Sequence, residues 1–162
     1  MEVSEIIING KNHFTLQKKH KHTILSRLFR SKSYSLEEKN ETLNRILGDD
    51  KSDLALNARA RCEAGLPNAE TKAKNWAEVT DTNSKDSVNL RYAKIGGFYC
   101  WDQIDIVSPY FDKFFDEIER IHKFTNHRYF ENFFHSLLPT MNIKESHIVK
   151  LVSLRANTPD LE

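Results

Sequence analysis

Residues 96–139 limit what this chain can fold into more than any other stretch. Eight of the ten phenylalanines lie there, at 98, 111, 114, 115, 124, 130, 133 and 134. From Ser108 onward the apolar residues fall at Phe111, Phe114, Phe115, Ile118 and Ile121, the spacing of one helix face. Ser108 reads as the N-cap and Pro109 as the first helical residue, where a missing N–H costs nothing. A second stripe, Tyr129, Phe130, Phe133, Phe134, Leu137 and Leu138, predicts another helix, which Pro139 stops. Two aromatic faces joined by a short polar turn make a helical hairpin, and both faces must be covered. As amphipathic stripes they read as core.

The rest of the chain repeats the helical signal at lower volume. Leu16 to Phe29 predicts a helix with Leu16, Ile24, Leu25, Leu28 and Phe29 on one side. Ser35-Leu-Glu-Glu38 is a capping box opening a helix with Leu36, Leu43, Ile46 and Leu47 inward. Gly48 suits its C-terminal cap. Leu54 to Ala64 follows, with Leu54, Ala55, Ala58 and Cys62 inward, ended by Gly65-Leu-Pro67. Asn68 caps a helix carrying Ala69, Ala73, Trp76 and Val79. Ser87 to Ile95, with Val88, Tyr92 and Ile95 at helical spacing, is the next, ended by Gly96-Gly97. After the hairpin, Asn142-Ile-Lys-Glu145 offers a second capping box for a helix burying Ile148, Leu151 and Val152. Such a chain is all-α, with about eight helices and short loops that force neighbours antiparallel. No strict sequence period is present. The expected architecture is an irregular stack of antiparallel helix pairs, a HEAT-like α-solenoid. Residues 15–156 read as one helical domain, 1–14 as an N-terminal arm of uncertain form, and 157–162 as a tail.

Bulk properties narrow the class. The chain has 162 residues, five glycines and four prolines, and is 29% charged and 39% hydrophobic, which favours a globular over a disordered chain. No apolar run reaches the ~18 residues of a membrane span, and Ile6-Ile-Ile8 is too short for a signal peptide. Two cysteines, Cys62 and Cys100, make no disulfide framework, so free thiols in a cytoplasmic protein are expected. The net charge of +1 is unevenly spread. No acid stands between Glu5 and Glu37, whereas Lys11, Lys18, Lys19, Lys21, Arg27, Arg30 and Lys32 do.

No catalytic, cofactor-binding or metal-ligating residue emerges. His13, His20, His22, His122, His127, His135 and His147 include no pair three or four apart, and His20 and His22 diverge on a helix. Nucleophile-elbow, phosphate-loop and His-Glu-x-x-His motifs are absent. Cys62 reads as a small core residue and Cys100 similarly. Lys72 and Trp76, four apart, permit a cation–π contact, but a core Trp beside a solvated Lys is the simpler reading. The basic window lacks the interleaved aromatics of a nucleic-acid surface. It reads as a solvated face or one meeting an acidic partner domain, and no nucleic-acid or membrane partner is expected.

Four landmarks carry a family resemblance. Ile24-Leu-Ser-Arg-Leu-Phe29 precedes Ser35-Leu-Glu-Glu38 and Leu47-Gly-Asp-Asp-Lys-Ser-Asp53. Ala58-Arg-Ala-Arg-Cys-Glu-Ala-Gly-Leu-Pro67 is an Ala-rich helix ending at Pro. Lys72-Ala-Lys-Asn-Trp76 follows that Pro. Gly97-Phe98 is followed by Ser108-Pro-Tyr-Phe-Asp-Lys-Phe-Phe115 and later Leu137-Leu-Pro139. In this order, over roughly three quarters of the chain, they resemble the C-terminal helical domain of the aminopeptidase N-type zinc metallopeptidases. That group includes the puromycin-sensitive and endoplasmic-reticulum aminopeptidases.

The resemblance implies a non-catalytic helical portion of a larger enzyme. It would help cap the peptide chamber over a catalytic domain of the same polypeptide, and the zinc would sit in that domain. The family's zinc motif and its Gly-x-Met-Glu-Asn motif are absent here, so no catalytic residue carries over. Peptide substrates would belong to the parent enzyme. A slice of a helical stack exposes apolar surface at its ends and is expected to be marginal or to self-associate when isolated. The alternatives are a free-standing α-helical interaction module without enzymatic activity, and a basic nucleic-acid binder whose affinity falls steeply with salt.

Overall fold

Side-chain caps set where most of the helices begin. In the computed structural model, which describes residues 17–157, Ser35 accepts the Glu38 N–H while the Glu38 carboxylate accepts the Ser35 N–H, completing the expected capping box. Ser52, Asn68, Ser87 and Asn126 each accept a backbone N–H three residues on. The helices are α1 (Lys18–Arg30), α2 (Leu36–Leu47), α3 (Asp53–Ala64), α4 (Ala69–Thr80), α5 (Val88–Phe98), α6 (Ile104–Val107), α7 (Pro109–Phe124), α8 (His127–Leu137) and α9 (Glu145–Asn157). A short 3-10 turn, Trp101–Gln103, precedes α6. Among the described residues the fold is all-α, with no strand. The N-terminal arm 1–14, the start of the first helix at Leu16 and positions 158–162 lie outside the described residues.

The aromatic hairpin is as expected, and it holds the main core. Phe111, Phe114, Phe115, Ile118 and Ile121 on α7 are all buried, as are Tyr129, Phe130, Phe133 and Leu137 on α8. Phe114 and Phe133 stack nearly parallel with centroids 5.6 Å apart. Trp76, Val79, Ile95 and Phe98 from α4 and α5 close the same cluster. A second cluster, Leu25, Phe29, Leu43, Leu47, Ala55, Ala58 and Cys62, joins α1, α2 and α3. Helices also contact in two alternating series. In one, α1 packs on α3, α3 on α5 and α5 on α8; in the other, α4 meets α6 and α7 meets α9.

Several expectations need correction. Ser108 is not an N-cap: its backbone is helical and its N–H donates to the Ile104 carbonyl, so α6 runs into α7. Gly96-Gly97 does not end α5, which continues to Phe98. At Gly97 a Cβ would overlap the Arg61 carbonyl oxygen and sit 2.8 Å from the Ala64 Cβ. The glycine pair is a close-approach surface for α3. Leu36 and Leu54 are exposed, because α2 and α3 turn Lys39, Thr42, Ala55 and Ala58 inward instead. Ala69 and Ala73 are also exposed, and α4 buries Lys72, Asn75, Trp76 and Val79. Val88 is exposed as well.

The last helix departs furthest. α9 begins at Glu145, two residues later than a cap at Asn142 would place it, and Asn142 has φ +52°, a left-handed backbone that Asn tolerates. Its buried residues are His147 and Leu154, while Leu151 is half-buried and Ile148 and Val152 face outward. His147 Nδ1 accepts the Lys144 N–H, its Nε2 meets Asp112 at 2.6 Å, and its ring stacks on Phe115 at 4.3 Å. A polar anchor to α7 therefore fixes the face that α9 turns inward.

Candidate functional site

Helix C-termini leave four carbonyls without intrahelical partners, and buried ends must find donors elsewhere. In this chain long cationic and amide side chains supply them. Lys39 Nζ donates to Ser31 O at the end of α1, and Arg59 to Gly48 O after α2. At the end of α4, Arg91 donates to Val79 O and Asp81 O, Arg120 to Thr80 O, and the Tyr129 hydroxyl to Val79 O. The Arg91 guanidinium lies 3.8 Å from the Tyr129 ring centroid. Burial raises the Tyr129 hydroxyl, and Arg91 opposes that shift.

The densest such joint gathers three helix ends around Lys72. This side chain is fully buried, not solvated as the sequence suggested. Its Nζ donates to Ala64 O of α3 at 2.7 Å and to Phe98 O of α5 at 2.6 Å, and lies 5.4 Å from the Phe98 ring. Burial pulls its ammonium pKa down to about 8, so it still carries its proton at neutral pH. Beside it, Gln103 Nε2 donates to Arg30 O and Gly65 O, both at 2.9 Å, and Arg30 Nη2 donates to Gly96 O at 2.7 Å. Trp76 is core as read, packed against Phe98, Tyr110 and Phe133, while the Lys72 ammonium lies over Phe98. The periodicity of α4 contained the inward Lys72, at 72, 75, 76 and 79. Lysine belongs on surfaces unless paired, so spacing alone does not mark an interior cation.

The other singled-out residues do not converge on chemistry. Cys62 is buried, and burial pushes its thiol up to about 12, which leaves it an inert core residue. Cys100 is half-buried; burial and its 2.6 Å contact with Asp102 raise its thiol too. Among the described residues no three His, Cys, Asp or Glu side chains come together as a metal would require. No helix among them is long and apolar enough to cross a membrane.

The basic window does form a feature. On α1, Lys19, His22, Thr23, Ser26, Arg27 and Arg30 share one face at i, i+3, i+4 spacing, and they line a cavity of about 520 Å³. Arg61 and Asn57 on α3 and Asn89 and Tyr92 on α5 close it. The helical spacing of these cations was legible in the sequence; that α3 and α5 face them was not. No protein-family model matches this chain, and no curated protein matches it.

Proposed function

We propose that this chain is the non-catalytic helical C-terminal portion of an aminopeptidase N-type zinc peptidase, part of the cap over that enzyme's peptide chamber. One observation carries the reading. Three of the four landmarks of the resemblance meet at the Lys72 joint. Ala64, from the Ala-rich helix before Pro67, and Phe98, from Gly97-Phe98, give Lys72 their carbonyls. Trp76 packs on Phe98 and on Tyr110 of the Ser-Pro-Tyr landmark. Residues that serve to join helices fit a wall or cap better than a reaction centre.

The packing order supports the finer architecture. α1, α3, α5 and α8 contact in succession, while α4 meets α6 and α7 meets α9, two rows as a HEAT-like superhelical stack would have them. Ile148, Val149 and Val152 on α9 are more than half exposed, as the end of such a stack would leave them for a further helix or domain. In this reading the partner is the catalytic domain of the same polypeptide, and peptides are substrates of the whole enzyme. In this reading the zinc belongs to that domain, as the resemblance implies. Free thiols at Cys62 and Cys100 favour the cytoplasm.

The test is an immunoprecipitation from native lysate with an antibody against residues 36–139. Aminopeptidase activity that a zinc chelator abolishes, and that added zinc restores, is expected in the precipitate. A precipitate with this chain and no such activity would overturn the reading.

A further inference from the structure

The cations of this molecule fall into two groups. Most are engaged: Lys39, Lys72, Arg59, Arg91 and Arg120 meet helix-end carbonyls, and Lys94, Lys144 and Lys150 meet carboxylates. The α1–α3–α5 cavity gathers a different set. Lys19, Arg27, Arg30 and Arg61 line it; among the described residues none of them is paired with a carboxylate and no Asp or Glu is in the lining. Arg30 is held in place by its bond to Gly96 O, yet its Nε is buried with no acceptor. Arg61 is laid against Gly96, where any Cβ would lie 2.6 Å from its Nη2. Arg30 is therefore held by the fold while its Nε is left without an acceptor, and the exposed Arg61 side chain lies against the same glycine.

Four like charges around a concavity repel one another, and the low-dielectric walls concentrate their field. An anion of matching multiple charge relieves that repulsion, and guanidinium forks match phosphate oxygens in pairs. About 520 Å³ is the size of a small-molecule site. The polar groups of Thr23, Asn57 and Tyr92 add neutral hydrogen-bonding capacity to the same lining.

We propose that the α1–α3–α5 cavity binds a small multivalent phosphate anion, of the bisphosphate or polyphosphate class, through Lys19, Arg27, Arg30 and Arg61. Such a ligand ties the end of α1 to α3 and to Gly96 of α5, so it stiffens the junction between the two core clusters. The site is independent of the reading of the chain as part of a peptidase.

Calorimetric titration of the intact chain with inorganic pyrophosphate at near-physiological salt tests it. Saturable one-to-one binding is expected. A double variant, Lys19→Gln with Arg27→Gln, changes two exposed side chains outside the core and is expected to weaken binding at least tenfold with an unchanged circular dichroism spectrum. The same charge change on α7, Lys113→Gln with Lys123→Gln, is expected to leave affinity within twofold. Absence of saturable binding, or equal loss in both double variants, would overturn the proposal. So would citrate binding as tightly as pyrophosphate, because the site would then select charge and not phosphate.

Discussion

Lys72 shows how one side chain joins three elements. Carried on α4, it reaches the last carbonyls of α3 and α5 and the face of Phe98. Lys72→Met fills a similar volume but leaves Ala64 O and Phe98 O buried without their donor, and about 2 kcal/mol of stability should be lost at pH 7. Chemical denaturation of both proteins measures this. The pH dependence has a definite sign. Burial lowers the folded-state pKa to about 8, below that of the unfolded chain, so between the two values the unfolded state binds more protons. Wild-type stability should therefore rise relative to Lys72→Met as pH climbs from about 8 toward 10.5, and the neutral amine keeps two N–H groups for its two carbonyls. Asp112 behaves in the opposite range. Hydrogen bonds from Lys144 and then His147 pull its carboxyl down to about 2. Its contribution is present above the unfolded pKa of 3.8 and is lost as pH falls through about 2. Wild type and Asp112→Asn, compared by urea denaturation, should differ at pH 6 and converge as acid is added below about pH 4.

At the scale of helices, the contact between α3 and α5 depends on Gly97. A Cβ there meets the Arg61 carbonyl and Ala64, which are backbone and short side chain and cannot swing aside. Gly97→Ala should cost about 2–3 kcal/mol despite alanine's better helix propensity. At Gly96 the obstacle is the end of the Arg61 side chain, which can move, so Gly96→Ala should stay within about 1 kcal/mol of wild type. Thermal melts of the two variants check this pair. The same glycines mark where sequence reading stops. A Gly-Gly pair after a periodic run signals either a helix end or a close approach, and only the presence of α3 opposite decides. Ser108-Pro109 likewise looks the same at a helix start and inside a chain that enters α7 from α6. Local signals that need no partner were readable: the Ser35–Glu38 capping box, the Asn68 cap, the stop at Gly48 and both aromatic stripes. Leu36, Ala69, Ala73, Ile148 and Val152 face outward because buried Lys39, Lys72 and His147 turn their helices, and polar burial depends on partners that hydrophobic spacing does not contain. For the same reason the cations on α1 were visible at helical spacing, but not the cavity that α3 and α5 complete.

For the molecule as a whole, joints and exposed faces tell the same story. Helix ends are sealed from within by Lys39, Lys72, Arg91 and Gln103. α9 meanwhile presents Ile148, Val149 and Val152 outward as an apolar edge, which the proposed reading covers with another helix or domain. In the proposed reading, a cap of this kind has its function in the polypeptide that carries it. The most direct measurement is the mass and peptide sequence of the native polypeptide that an antibody against residues 36–139 recovers. On this reading, a chain several times larger than 18.9 kDa that also yields a His-Glu-x-x-His peptide is expected. A native polypeptide of 18.9 kDa with no such peptide would contradict it.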